Sequence, residues 1–231
     1  GWARRLVAAK VRGQMRLLDV AAQERADQRQ YLLAALTSLA RIHQTLRSAE
    51  GLDPAALRGQ EGAASAAYFR AYTKLFAPAL GFSGRNRRPP RDPVNAVLSL
   101  GYTLVHVAAV REVRAAGLDP YLGYYHEPQY GRESLACDLV EPLRSGVDAW
   151  VWRAFRQRIL RAEHFRTAQG ACLLGKAGRA AFYQEFEPYL ARAARNLRRM
   201  AAAVVRMLGG GTEAPQSADE GLIAEQEEVS D

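Results

Sequence analysis

Between residues 126 and 144 the sequence reads HEPQYGRESLACDLVEPLR. His126 stands in a turn-rich stretch, and Asp138 and Glu141 follow three positions apart, a spacing that sets two carboxylates on one face of a helix. Like charges so placed repel unless something positive lies between them. A divalent metal ion would do this, and so would the guanidinium of Arg144, three positions on. Oxygen donors with one imidazole suit Mg²⁺ or Mn²⁺ better than zinc, because no thiolate cluster accompanies them. A solvated acidic helix face with a surface histidine would show the same spacing. Glu61 offers a further carboxylate. It opens an Ala-rich helix just before Gly62, Ala63 and Ala64, whose small side chains let another helix or a DNA backbone come close. The helix dipole alone also favours a glutamate in a first turn.

The charge of the chain points to a polyanionic partner. Its 231 residues carry a formal +8, yet seven acids and no Lys or Arg fall after Thr212. Residues 1–211 therefore hold 32 basic against 17 acidic side chains, a charge of +15, which suits nucleic acid; solvated helix faces in an Arg-rich composition are the plainer explanation. At 48% apolar and 24% charged the chain is able to bury a core. Arg, Gln or Glu is expected to interrupt every apolar stretch before the roughly 20 residues of a membrane span, and no secretory signal is visible at Gly1-Trp2-Ala3-Arg4-Arg5. Cys137 and Cys172 lack CxxC spacing and read as small core residues of a reduced, cytoplasmic protein. There is no internal repeat and no GxGxxG or GxxxxGK[ST] phosphate loop, so nucleotide-dependent enzymes lose ground.

The elements that must position these residues are helices. Apolar residues recur at three and four along 2–49, predicting two helices or one long bent one. Asp53-Pro54 caps a short turn that Gly59 is expected to close, and Gln60 to Phe76 forms the next helix. Residues 77–91 (APALGFSGRNRRPPR) read as an exposed basic loop. Asp92-Pro93 starts a helix that Gly117 ends, Ser134 is expected to cap another, and Pro142 to interrupt it. Ala171 to Leu174 is the one strand candidate; a last helix spans about 177–208, before Gly209-Gly210-Gly211. The fold class is all-α, an irregular domain of about six to nine helices over 1–208, with a Gly linker and disordered acidic tail over 209–231.

Five segments, AAKVRGQMRLL (8–18), LRGQEGAASAAYF (57–69), RDPVNAVLSLGYTLV (91–105), AGLDPYLGYYHEPQYGRESLACDLVEPLR (116–144) and GRAAFYQEFE (178–187), resemble in order the C-terminal helical domain of CRISPR-associated protein one. The resemblance covers roughly residues 3–205. It implies a metal-dependent DNA endonuclease and integrase of CRISPR spacer acquisition, with Mg²⁺ or Mn²⁺ in a buried site. In that family a Glu in EGxxAxxYF, a His closing LDPYLGxxH and an acid in DLxEPxR hold the ion, which on this chain are Glu61, His126 and Glu141. Asp138 would be a further ligand or a group supporting one.

The resemblance also implies that duplex DNA binds a basic surface. Arg85, Arg87, Arg88 and Arg91 of the loop, Arg158 and Arg161 of the band 156–166, and the band 192–199 would touch its backbone; pairing of such arginines with Glu185 and Glu187 is equally consistent with the sequence. His164 would lie near phosphate, whereas His43 and His106 would be core or surface residues. Family members begin with a small β-rich domain that supplies much of a homodimer contact, and they work with a small ferredoxin-like second adaptation protein. Here the first recognisable segment starts at residue 8, so the chain reads as a piece, split or fused form, and its dimer would require the missing part. A catalytically idle DNA-binding scaffold is the alternative function.

Overall fold

A computed structural model describes residues 1–49, 51–86 and 88–209; Arg87 and the acidic segment from 210 onward lie outside the described residues. Within them the chain forms α1 (Trp2–Glu24), α2 (Arg29–Ser48), α3 (Pro54–Tyr72), α4 (Pro93–Ala115), α5 (Ser134–Val140), α6 (Arg144–Arg156), β1 (Phe165–Ala168), β2 (Ala171–Leu174) and α7 (Lys176–Leu208). The architecture is helical, as the periodicity indicates. Two packed units share it, one of Gly1–Thr103 with Pro142–Tyr189, the other of Leu104–Glu141 with the chain from Leu190.

In the first unit α1 packs on α2, α3 and α6. Its buried face is Leu6, Val7, Lys10, Val11, Gln14, Leu17, Leu18, Ala21 and Ala22, a stripe at helical spacing with one lysine in it. Gly13 permits the approach to α6: a Cβ there would stand 2.1 Å from Ser145 Oγ. Asp53 caps α3 as expected, its side chain accepting from the Ala56 N–H at 2.7 Å. Gly59, however, does not close a turn. Leu57, Ala64, Tyr68, Ala71 and Tyr72 bury one continuous face of α3, which outweighs the cost of about 1 kcal/mol for a mid-helix glycine. Glu61 is thereby in the body of α3 and not in a first turn. Tyr72, Phe76, Phe82 and Phe155 make edge-to-face pairs with centroids 5.0–5.9 Å apart, each adding about 0.5–1.5 kcal/mol beyond burial.

The hairpin arises from a two-residue turn, Gln169 at φ 51° and Gly170 at φ 72°, which pairs Ala168 with Ala171. β2 falls on the strand candidate, and β1 is its unforeseen partner. α5 ends at Val140, a single 3-10 turn spans Glu141–Leu143, and α6 resumes, as Pro142 requires. Ser134 does not cap α5; its hydroxyl donates to the Glu127 carbonyl at 3.1 Å.

α4 corrects one expectation. Its 23 residues are long and apolar enough to cross a membrane by composition, with a mean hydropathy of 1.5, because no charged side chain falls between Pro93 and Val110. The apolar run instead supplies core residues in both units: Val94, Val97 and Leu98, then Val105, Ala108, Ala109 and Val113 are buried. Two buried polar side chains on this helix are matched inside the protein. Asn95 donates to Asp92 Oδ2 at 2.6 Å, and Glu112 accepts from Arg198 and Arg111, both at 2.9 Å. Gly117, at φ 75°, ends α4, with the Leu118 N–H returning to the Val113 carbonyl.

Candidate functional site

The loop from Gly117 to Glu133 is organised around one buried carboxylate. Asp138 in the last turns of α5 is fully buried, and the loop wraps its backbone onto it. The N–H groups of Tyr124 and Tyr125 donate to Oδ2 at 2.6 and 2.9 Å, and the N–H of His126 donates to Oδ1 at 3.0 Å. The His126 ring adds a fourth contact, Nδ1 to Oδ1 at 2.6 Å. A carboxylate offers about four lone-pair sites, so this one is saturated. An ionised carboxylate only accepts, which places the imidazole proton on Nδ1 and leaves Nε2 as the ring nitrogen with ligand character. Gly123 makes the fold-back possible, since a Cβ there would lie 2.7 Å from the His126 carbonyl and 2.8 Å from Ser134 Cβ. The Leu135 N–H, bonded to the Pro120 carbonyl at 2.8 Å, ties the start of α5 to the loop.

Asp138 and Glu141 thus stand in different surroundings. Four protein donors compensate Asp138, so neither a metal nor Arg144 is needed to balance its charge. Arg144 lies over the Tyr102 ring, 4.8 Å from its centroid. Glu141 is buried at 4% exposure in the 3-10 turn, and its Oε2 takes no hydrogen bond, though the residue has other interactions. Glu61, on α3, forms an ion pair through Oε1 with Lys10 Nζ of α1. Among the described residues no group of three or more His, Cys, Asp or Glu side chains is formed that could hold a metal ion. The individual donors nevertheless suit a hard divalent ion, being two carboxylates and an imidazole with its tautomer set by Asp138.

The basic residues divide. Arg88, Arg91, Arg158 and Arg161 are exposed, with Arg161 3.0 Å from Glu163. Arg85 is not part of an exposed loop tip. Its guanidinium turns inward onto Asn95 Oδ1 at 2.6 Å and lies over the Tyr102 ring. Arg198 pairs with Glu112 and not with Glu185 or Glu187, and Nδ1 of His164 is buried without a hydrogen bond.

Two clusters escape the sequence reading. Asp148, buried on α6, accepts from Tyr68 at 2.8 Å and from Tyr102, while Tyr72 donates to its carbonyl at 2.8 Å. Burial pushes its carboxyl up to about 6, against the opposing pull of the two hydroxyls and of Arg85 and Arg144. The only sequence signal is an acid inside the apolar run GVDAWVW. His106, read as core or surface, contacts Glu133 at 2.7 Å and the Cys137 thiol. Those hydrogen bonds, the thiol's foremost, hold its pKa up against burial. Cys137 and Cys172 are both free.

The family described as CRISPR associated protein Cas1 matches residues 1–188. A CRISPR-associated endonuclease Cas1 of Thermodesulfovibrio yellowstonii is 50% identical over 136 residues, 58% of this chain and 43% of the relative. A Cas4 exonuclease/Cas1 endonuclease fusion of Rhodospirillum rubrum is 38% identical over 193 residues, 80% of this chain and 32% of the fusion. The chain thus spans less than half the length of these relatives. Among solved structures, a Cas1 protein from Thermotoga maritima has the same fold with a TM-score of 0.75 at 24% identity, over 91% of this chain and 65% of that one. A casposase bound to its integration product gives 0.68 at 22%, over 87% and 59%. With the family match running from residue 1 to 188 and through every motif that carries a candidate ligand, the chain belongs to the Cas1 family of CRISPR-associated proteins.

Proposed function

We propose that the protein is a divalent-metal-dependent DNA endonuclease and integrase of CRISPR spacer acquisition. It would join the 3′-hydroxyl ends of short duplex DNA to a CRISPR repeat by transesterification. The observation that carries this reading is the His126–Asp138 pair: a loop inside a family motif spends three backbone N–H groups and a ring nitrogen on fixing one imidazole. The names of the Cas1 endonuclease relatives and the integration product held by the casposase support the same reaction class.

Glu61, His126 through Nε2, and Glu141 would hold Mg²⁺ or Mn²⁺. When bound, such an ion supplies Lewis-acid stabilisation of charge at the scissile phosphate. The nucleophile is the 3′-hydroxyl of the incoming DNA. Its oxygen forms the new P–O bond, the target strand's P–O bond breaks, and the departing oxygen takes up a proton, so no protein nucleophile is required. Asp138 positions His126, and exposed Arg88, Arg91, Arg158 and Arg161 neutralise backbone phosphates, with Arg87 of the same loop included by sequence. Arg85 contributes by ordering that loop through Asn95. Duplex DNA and the small ferredoxin-like second adaptation protein are the partners; complexes of Cas1 with Cas2 among the structures of this fold support the latter. A homodimer is a further proposed assembly, and the proposed site of action is the prokaryotic cytoplasm.

The test is Mn²⁺-dependent joining of a short duplex to a supercoiled plasmid, with the second adaptation protein present. Wild type is expected to nick and join, and His126→Ala to lose both. Absence of metal-dependent joining by wild type would leave an idle DNA-binding scaffold. Joining by His126→Ala at the wild-type rate would refute the site.

A further inference from the structure

A lysine on the buried stripe of α1 is the feature of the first unit least expected from its surroundings. Lys10 is 8% exposed, flanked on its helix face by buried Leu6, Val7, Val11 and Gln14. Lysine is almost never buried to this extent without a partner, and the carboxylate of Glu61, 51 residues on, is one here. Glu61 needs a counter-charge in turn. It sits in the body of α3, beyond reach of the helix N-terminus whose dipole would favour an acid.

The pair is asymmetric. The lysine side chain is 10% exposed and that of Glu61 is 22% exposed, so the cation lies at the closed end and the carboxylate at the open one. Gly59 and Gly62 flank Glu61, and a Cβ at either would meet nothing within 4 Å. The Glu61 side chain itself stays partly open to solvent, while Lys10 Nζ holds its Oε1. An ion arriving from solvent meets a carboxylate already engaged by a positive charge.

We propose that Lys10 is an internal counter-ion for Glu61 that a divalent ion must displace, so that Glu61 alternates between a lysine-paired and a metal-bound state. Lys10 is then a positioning residue with two effects of opposite sign. It keeps the Glu61 carboxylate folded and compensated in the metal-free protein, and it weakens metal binding by competing for the same oxygen. A flexible four-carbon stem with a compact ammonium is suited to the exchange, because it can withdraw without moving α1. Like-charge repulsion over a few ångströms at a partly exposed site makes the competition worth roughly tenfold in affinity. This inference rests on Glu61 being a ligand.

The experiment is a Mn²⁺ titration of the full chain, read by the electron paramagnetic resonance signal of free Mn²⁺, for wild type, Lys10→Met, Lys10→Arg and Glu61→Gln. Lys10→Met keeps the apolar stem and removes the charge. It is expected to bind Mn²⁺ roughly tenfold more tightly, to melt lower than wild type without metal, and to gain more from saturating Mn²⁺. Lys10→Arg, whose fork grips a carboxylate through two N–H groups, is expected to bind Mn²⁺ more weakly, and it serves if the methionine variant does not fold. Unchanged affinity in the variant that folds, or weaker binding by Lys10→Met, overturns the proposal. If Glu61→Gln loses binding while the lysine variants match wild type, only the role of Lys10 falls. If Glu61→Gln binds as wild type, Glu61 is no ligand and both readings fall.

Discussion

Replacing Asp138 by Asn isolates what the carboxylate does for the His126 loop. The side chains have the same shape, but Asn offers one acceptor oxygen where Asp has two, and its amide nitrogen is a donor. With its oxygen at the Oδ2 position the amide keeps the Tyr124 and Tyr125 contacts and can donate to His126 Nδ1 once the ring proton moves to Nε2, leaving the His126 N–H facing a donor; turned the other way it faces the N–H groups of Tyr124 and Tyr125 with its amide nitrogen. The site is fully buried, so water cannot make good the loss. Hydrogen bonds to a charged acceptor contribute about 1.5–3 kcal/mol each, and losing one or two costs about 1.5–6 kcal/mol. For a chain of this size that is a drop in melting temperature on the order of 10 °C. The damage should concentrate where the donors are, so hydrogen exchange at the amides of Tyr124, Tyr125 and His126 should accelerate by roughly tenfold or more relative to α1. Urea unfolding together with exchange read by mass spectrometry or NMR checks both. A stability within about 1 kcal/mol of wild type, with those three amides still protected, would refute the reasoning, since it would mean that the carboxylate does not organise the loop.

Asp148 predicts a stability change of the opposite sense to that of an ion-paired acid. Its folded pKa of about 6 stands above the ordinary 3.8, so its contribution is present in full below about pH 4 and is lost as pH rises towards 6, on the order of 3 kcal/mol in all. The stability of wild type relative to Asp148→Asn, from urea unfolding at several pH values, should fall across that window; a flat difference would contradict it. Glu112 behaves the other way. Its pKa is lowered first by the hydrogen bond from Arg198, against the pull of burial, so its contribution is present above the unfolded Glu value and lost as pH falls through the folded one. Arg198→Ala should raise the Glu112 pKa measured by NMR. Gly123→Ala places a methyl group 2.7 Å from the His126 carbonyl; a loss of about 1–3 kcal/mol, with faster exchange in the same loop, is expected from thermal unfolding and exchange data.

What local chemistry encodes was legible before the fold was known. Asp53-Pro54, Asp92-Pro93, Pro142 and Gly117 act over one or two turns, and each starts, breaks or ends a helix where its type requires. The failures were of another kind. Gly59 looks like a stop, but burial of Leu57 and Ala64 across it decides the matter. The Gln169-Gly170 turn is hidden because its first residue is not one of the usual positive-φ types. Lys10 with Glu61, and Tyr68 and Tyr102 with Asp148, join residues 46 to 80 positions apart, and no spacing rule connects them. The distinction between Asp138 and Glu141 lies in which backbone N–H groups the loop delivers, and the loop does so only once folded.

In the proposed function Glu61, His126 and Glu141 serve one ion. This is tested most directly by counting Mn²⁺ bound to the wild-type chain and to Glu61→Gln, His126→Ala and Glu141→Gln taken singly. The predicted result is one ion per chain in wild type, with binding lost in each variant; wild-type affinity in any of the three would contradict it.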